Sequence, residues 1–255
     1  MSDGAALTRP PGAAWRRALG IAGLGVAILA CVPDLAGIAR GSEVAQSLSY
    51  ALMAMVAPAL IAIGVPWSTL SAHGTAMRRP IERLGTVRAD RRGLALCLGV
   101  LVLDLVVIVW WRTPVLVDAL ARHPALVLAE SATLCAAGTV LWLELVEAAP
   151  LVPRSSRPRR AVLAALAMWT VWSVAYLEGM SSTGWYHAFH HVAGIGLSAA
   201  AERELSAALI WAVAAVVFMP VVFSNLFRWL RAESQAGTSE GGARPALGPV
   251  AGSLH

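Results

Sequence analysis

"GLALCLGVLVLDLVVIVWW", residues 93–111, is nineteen residues long and carries one charged side chain, Asp104. Coiled as a helix it rises about 28 Å, close to the roughly 30 Å of hydrocarbon in a bilayer. A single run of this kind could still be the core helix of a soluble domain. The rest of the 255-residue chain decides otherwise, because 58% of it is hydrophobic and only 14% charged. A soluble domain has about a quarter of its residues charged. Mean hydropathy is +0.66. The expected fold is an all-α polytopic membrane protein.

Five further runs of similar length accompany the first, giving expected spans at residues 15–32, 44–65, 93–111, 124–146, 161–177 and 205–227. The predicted architecture is a six-helix transmembrane bundle over residues 15–231. The first run is read as a retained span, since "CVPDLAG" after it makes a poor cleavage region. Residues 1–14 and 232–255 are rich in Gly, Ala, Ser and Pro without apolar periodicity, and read as disordered termini.

Every basic residue is arginine, and the twenty arginines are unevenly placed. Sixteen fall before span one, between spans two and three, between spans four and five, or after span six. Arg40, Arg112, Arg122 and Arg203 fall on the other side. By the positive-inside rule both termini are predicted to be cytoplasmic, in a bacterial inner membrane. The basic balance (net +5) is therefore a topology signal and not a nucleic-acid footprint. Cys31, Cys97 and Cys135 lie far apart in apolar runs, without metal-ligand spacing, and read as small core hydrophobes.

Ionisable groups inside a span are expensive and default to functional hypotheses. Asp104 lies in span three, Glu130 about two turns into span four, and Gln46 and Tyr50 lie i, i+4 on one face of span two. All four are expected in the outer leaflet. They read either as a polar pocket opening outward or as hydrogen-bonding glue between helices. Glu144 and Glu147 lie at the inner end of span four, within reach of the Arg154–Arg160 cluster. Pro58, in mid-span, predicts a kink.

None of the six histidines lies in the middle of a span, so a membrane b-type cytochrome, which needs axial histidines in its bundle, is disfavoured. Three of them, His187, His190 and His191, crowd the outer connection "GWYHAFHH" at residues 184–191. If that stretch is helical, His187 is one turn from the other two, and imidazoles there suit copper. The other reading is an interfacial loop anchored by Trp185, Tyr186 and Phe189.

Four stretches in order resemble the CtaG-type family of cytochrome c oxidase assembly factors. "VPDLAG" (32–37) resembles the family's Pro-Leu-Asp stretch. "SYALMAMVAPALIAIGVPW" (49–67) resembles its second span. "WWRTPVLVDALARHPALVLAESATLCAAGTVLW" (110–142) is similar to its Trp-Pro run followed by a histidine-rich helix. "GLSAAAERELSAALIW" (196–211) resembles its "GLSxxxDQ" motif. Where the resemblance would place histidines, this chain has Gln46, Tyr50, Val127 and Ser131. Glu130 stays between the last two, and Glu202-Arg203 stands for Asp-Gln.

The resemblance implies a non-enzymatic membrane assembly factor for a haem–copper oxidase, with oxidase subunits and the lipid bilayer as partners and copper as a candidate cargo. Glu130 and Glu202 are the acidic positions it carries over. The alternative, from the residues alone, is a small transporter or permease component using Asp104 and Glu130 to handle protons or cations. No nucleophile–base spacing points to an enzyme.

Overall fold

A computed structural model describes residues 13–32, 37–39, 41–64, 83, 85–86, 93–148, 151, 153–181, 186–189 and 197–242. Among these the chain is helical, with no strand beyond an isolated bridge between Ala148 and Leu151. The helices are α1 (Ala13–Ala30), α2 (Glu43–Gly64), α3 (Leu94–Trp111), α4 (Pro114–Arg122), α5 (Pro124–Leu145), α6 (Arg157–Met180) and α7 (Ala199–Gly242). Five of them, α2, α3, α5, α6 and α7, are long and apolar enough to cross a membrane. α1, the other span expected from the sequence, spends its first turns on Arg16 and Arg17 and stands outside that set.

The ends differ from expectation in three places. The "TPVLVDALAR" stretch, between the third and fourth expected spans, forms the short helix α4. Pro114 opens it at a position where no N–H is needed, and it buries Val117 and Leu120. α6 starts at Arg157, taking in the arginines expected to precede it. α7 passes residue 227 and continues to Gly242, into the stretch whose composition reads as tail. Residues 1–12 and 243–255 lie outside the described residues.

α2 is the centre of the bundle, with 67% of its most apolar stretch buried against 28% for α3 and 33% for α7. Its middle is a π-helical turn, Leu52–Val56, in which the Ala57 N–H reaches back to the Leu52 carbonyl. The cause lies one residue on. Pro58 has no N–H for the Ala54 carbonyl four residues earlier, so the regular ladder breaks there and the wider turn absorbs the defect. α5 packs into this irregular surface through Gly138, where a Cβ would lie 2.7 Å from Pro58 Cγ and 2.8 Å from the Ala54 oxygen. α1 crosses α2 at Gly64, where any Cβ would run into the backbone of Gly20. Trp142 of α5 stacks on Phe218 of α7 with ring centroids 5.5 Å apart, and Trp172 of α6 stacks on Trp211 of α7 at 4.7 Å.

The helices sort their polar residues to two ends. At one end, Glu144 near the close of α5 is fully buried; it accepts from the Arg154 backbone N–H at 3.1 Å and ion-pairs with Arg154 Nε at 3.2 Å. Glu147 beside it meets Arg157 and Arg160. These are the contacts expected of Glu144 and Glu147. The starts of α2, α5 and α7 and the ends of α3 and α6 meet at the opposite end.

Candidate functional site

Arg112 is made central by the proline that follows it. Pro114 forbids Thr113 the helical conformation, and Thr113 is extended (φ −67°, ψ 140°). α3 therefore stops at Trp111 and the chain turns a corner at Arg112, whose side chain folds back into the bundle end, only 1% exposed. The Arg112 N–H bonds to Val109 instead of Ile108. The Ile108 carbonyl is thus left free, and the Tyr50 hydroxyl donates to it at 2.9 Å.

The guanidinium gathers four elements. It is ion-paired and hydrogen-bonded through Nη2 to Glu178, in the last turn of α6. Nη2 also donates to Ser47 Oγ at 3.1 Å, and Nη1 to Gln46 Oε1 at 2.5 Å. The rings of Tyr50 and Tyr186 flank it, with centroids 5.0 and 5.2 Å from Cζ. The Tyr186 hydroxyl donates to the Arg112 carbonyl at 3.3 Å.

Two relays lead outward from it. Gln46 accepts from Arg112 and passes its own amide hydrogen to Glu130 Oε1 at 3.2 Å, which fixes which way that amide points. Ser206 of α7 donates to the Glu43 carbonyl at 3.2 Å, so in the bond between Ser47 and Ser206 it is Ser47 that donates. Five helices are tied together through one cation.

Burial works against the charge on Arg112, but the Glu178 carboxylate more than offsets it and holds the guanidinium proton above the ordinary arginine range. Burial pushes the Tyr186 phenol up, with Arg112 opposing. The network is not closed. Arg112 Nε, Glu178 Oε2 and Glu43 Oε1 are buried without a hydrogen-bond partner among the described residues. Glu202, in the first turn of α7 and 6% exposed, and Arg203 act electrostatically on Glu43, and Arg203 donates to the Ser181 carbonyl.

Of the four residues expected in an outer pocket, Gln46, Tyr50 and Glu130 come together around Arg112. Asp104 does not join them by hydrogen bonds. It lies two turns deeper on α3, 2% exposed, and accepts no hydrogen bond among the described residues. The sequence does not single out Ser47, Ser206 or Glu43; it marks Arg112 only as lying on the arginine-poor side, Tyr186 as an interfacial anchor and Glu178 as a neighbour of the histidines. The available signal was an arginine on the arginine-poor side, directly abutting the most apolar span, followed by a proline.

The histidine-rich stretch enters only in part. His187 begins a 3-10 turn, His187–Phe189, packed on α4; the Ala188 N–H donates to Asp118 Oδ1 at 2.8 Å, and Tyr186 and Phe189 bury Val117. His190 and His191 lie outside the described residues, and among those described no three His, Cys, Asp or Glu side chains are grouped to hold a metal. Glu178, near the histidines in sequence, is engaged by Arg112. The Arg112 cluster does not suit copper, because a fixed cation fills its centre and its ligands are oxygens and an amide, without imidazole, thiolate or thioether.

Residues 4–232, most of the chain, match the family model described as cytochrome c oxidase caa3 assembly factor (Caa3_CtaG). No curated protein and no solved structure matches the chain.

Proposed function

The chain belongs to the cytochrome c oxidase caa3 assembly factor family, and from that membership we propose that it meets its oxidase client at the end of the bundle organised by Arg112. It is a multi-pass membrane assembly factor. The sidedness is part of the proposal: α1 serves as a sixth span, both termini are cytoplasmic, and the membrane is the bacterial inner one. The arginine distribution along the sequence supports this, with sixteen of twenty in the terminal segments and connections that the positive-inside rule assigns to the cytoplasm. The Arg112 cluster then lies at the outer face.

The observation that carries the proposal is the Arg112–Glu178 pair and the unpartnered Glu43 and Glu178 oxygens beside it. A group held for bundle stability alone has no use for buried acceptors left open, whereas a client segment bearing N–H donors satisfies them. The role is positioning of subunits, without catalysis. Copper, where it is cargo, is held at the histidine-rich turn and not in the cluster. Metal retained by the wild type, compared with a His187/His190/His191 triple alanine variant, tests that point.

The deciding experiment is complementation of a deletion strain, read as haem a absorbance, oxidase copper content and co-purification of oxidase subunits. Wild type restores all three and Glu178→Gln restores less at equal membrane abundance. Unchanged oxidase in the deletion strain itself would overturn the reading. A second reading, proton or cation transport, is favoured by the buried, unbonded Asp104; cation uptake into proteoliposomes that disappears in Asp104→Asn would establish it.

A further inference from the structure

A second polar site lies at the other, arginine-rich end, and it is independent of the oxidase reading. A cavity of about 260 Å³ is lined by Gly93, Leu94 and Cys97 at the start of α3 and by Arg154, Ser155 and Arg159 at the start of α6. At roughly 30 Å³ per water this is room for several waters or for one tetrahedral oxyanion.

Both helix starts that border it lack the usual side-chain cap. Gly93 cannot provide one, and Ser156 makes none. α6 in addition opens with Arg157, Arg159 and Arg160 and no acid in its first turn, the charge its dipole disfavours. Two helix starts without side-chain caps and an uncompensated positive charge thus border one space.

The donors on its wall are unsatisfied. Ser155 is 5% exposed, and its buried hydroxyl has no hydrogen-bond partner among the described residues. Arg154 Nε lies 3.2 Å from Glu144 yet makes no aligned hydrogen bond, so it too lacks an acceptor. Glu144 offsets the charge of Arg154, and Glu147 is shared by Arg157 and Arg160, while Arg159 is exposed and makes no ion pair among the described residues. Four arginines against two carboxylates leave the local balance positive.

We propose that this cavity binds a phosphate group, taken either from an anionic lipid headgroup or from free phosphate. Ser155 and Arg159 hold it against the α3 N-terminus, with Arg154 fixed in place by Glu144. Leu94, half exposed beside the polar donors, matches the boundary between headgroup and acyl chain.

The test uses the full chain, purified in a neutral detergent. One arm measures retention of phosphatidylglycerol over phosphatidylcholine by native mass spectrometry, and the other titrates inorganic phosphate calorimetrically. Ser155→Ala and Arg159→Gln are expected to weaken binding by about tenfold each, the worth of one charge-assisted hydrogen bond. Arg122→Gln, a charge-matched change on an exposed residue at the opposite end of the bundle, is expected to leave it unchanged. Unaltered thermal midpoints confirm that the variants fold. Lipid retention with this variant pattern identifies a headgroup site, and phosphate binding with the same pattern identifies a soluble ligand. Binding of neither probe, or an equal loss in Arg122→Gln, overturns the proposal.

Discussion

The Arg112 guanidinium, at the corner after α3, is ion-paired with the Glu178 carboxylate, sixty-six residues later in the last turn of α6, with both side chains almost fully buried. Removing one member of such a pair strands the other in a low-dielectric site. Arg112→Gln or Glu178→Gln is therefore expected to cost about 3–5 kcal/mol of stability. The Arg112→Leu/Glu178→Leu double variant is expected to cost less than the two singles combined, since no charge is left alone. Thermal or denaturant unfolding in detergent, arranged as a double-mutant cycle, measures both.

The α1–α2 crossing makes a separate prediction. A Cβ at Gly64 has no space against Gly20, so Gly64→Ala must push α1 away and is expected to destabilise by about 1–3 kcal/mol. Gly99, in the middle of α3, has nothing within 4 Å of its would-be Cβ. There the same change is expected to stabilise by about 0.5–1 kcal/mol through helix propensity alone. Equal effects at the two sites would mean that the helices do not approach as closely as described.

Residues 93–111 and the other long apolar runs together made the membrane class legible, because length and apolarity act within each segment and need no knowledge of how it packs. Gln46, Tyr50 and Glu130 were legible for a related reason, being polar groups at similar depth on two spans. Arg112 was hidden because a sequence gives its side of the membrane but not the direction of its side chain. That direction is set by Pro114 two residues on, and its partner Glu178 is chosen by tertiary packing. α4 was missed since nine residues between two prolines carry too little periodicity to distinguish a short helix from a loop.

Asp104 separates the two functional readings. Its carboxyl is buried and makes no hydrogen bond to another helix among the described residues. Asp104→Leu is expected to raise stability by about 1–3 kcal/mol, the cost of an unpaired polar group removed. The assembly reading further expects unchanged oxidase haem a in the same strain. A stabilised protein with oxidase lost would give Asp104 a part in the work.

The proposed sidedness is open to a direct check through Cys31. This free, exposed thiol follows α1 at the end where α2 begins, whereas Cys97 is buried. A membrane-impermeant maleimide added to intact cells is expected to label the wild type and not Cys31→Ala. Labelling only after the membrane is opened would place that end in the cytoplasm and reverse the assignment of the Arg112 cluster.

Arg112→Lys tests whether the cluster needs charge or geometry. Lysine keeps the positive charge for Glu178, but a single ammonium cannot also serve Gln46 and Ser47 as the guanidinium fork does. It is expected to cost about 1–3 kcal/mol, between wild type and Arg112→Gln. If the cluster positions an oxidase client, haem a content at equal membrane abundance should fall in the order wild type, Lys, Gln. Normal oxidase in a destabilised but abundant Arg112→Gln protein would reduce the cluster to a structural clasp.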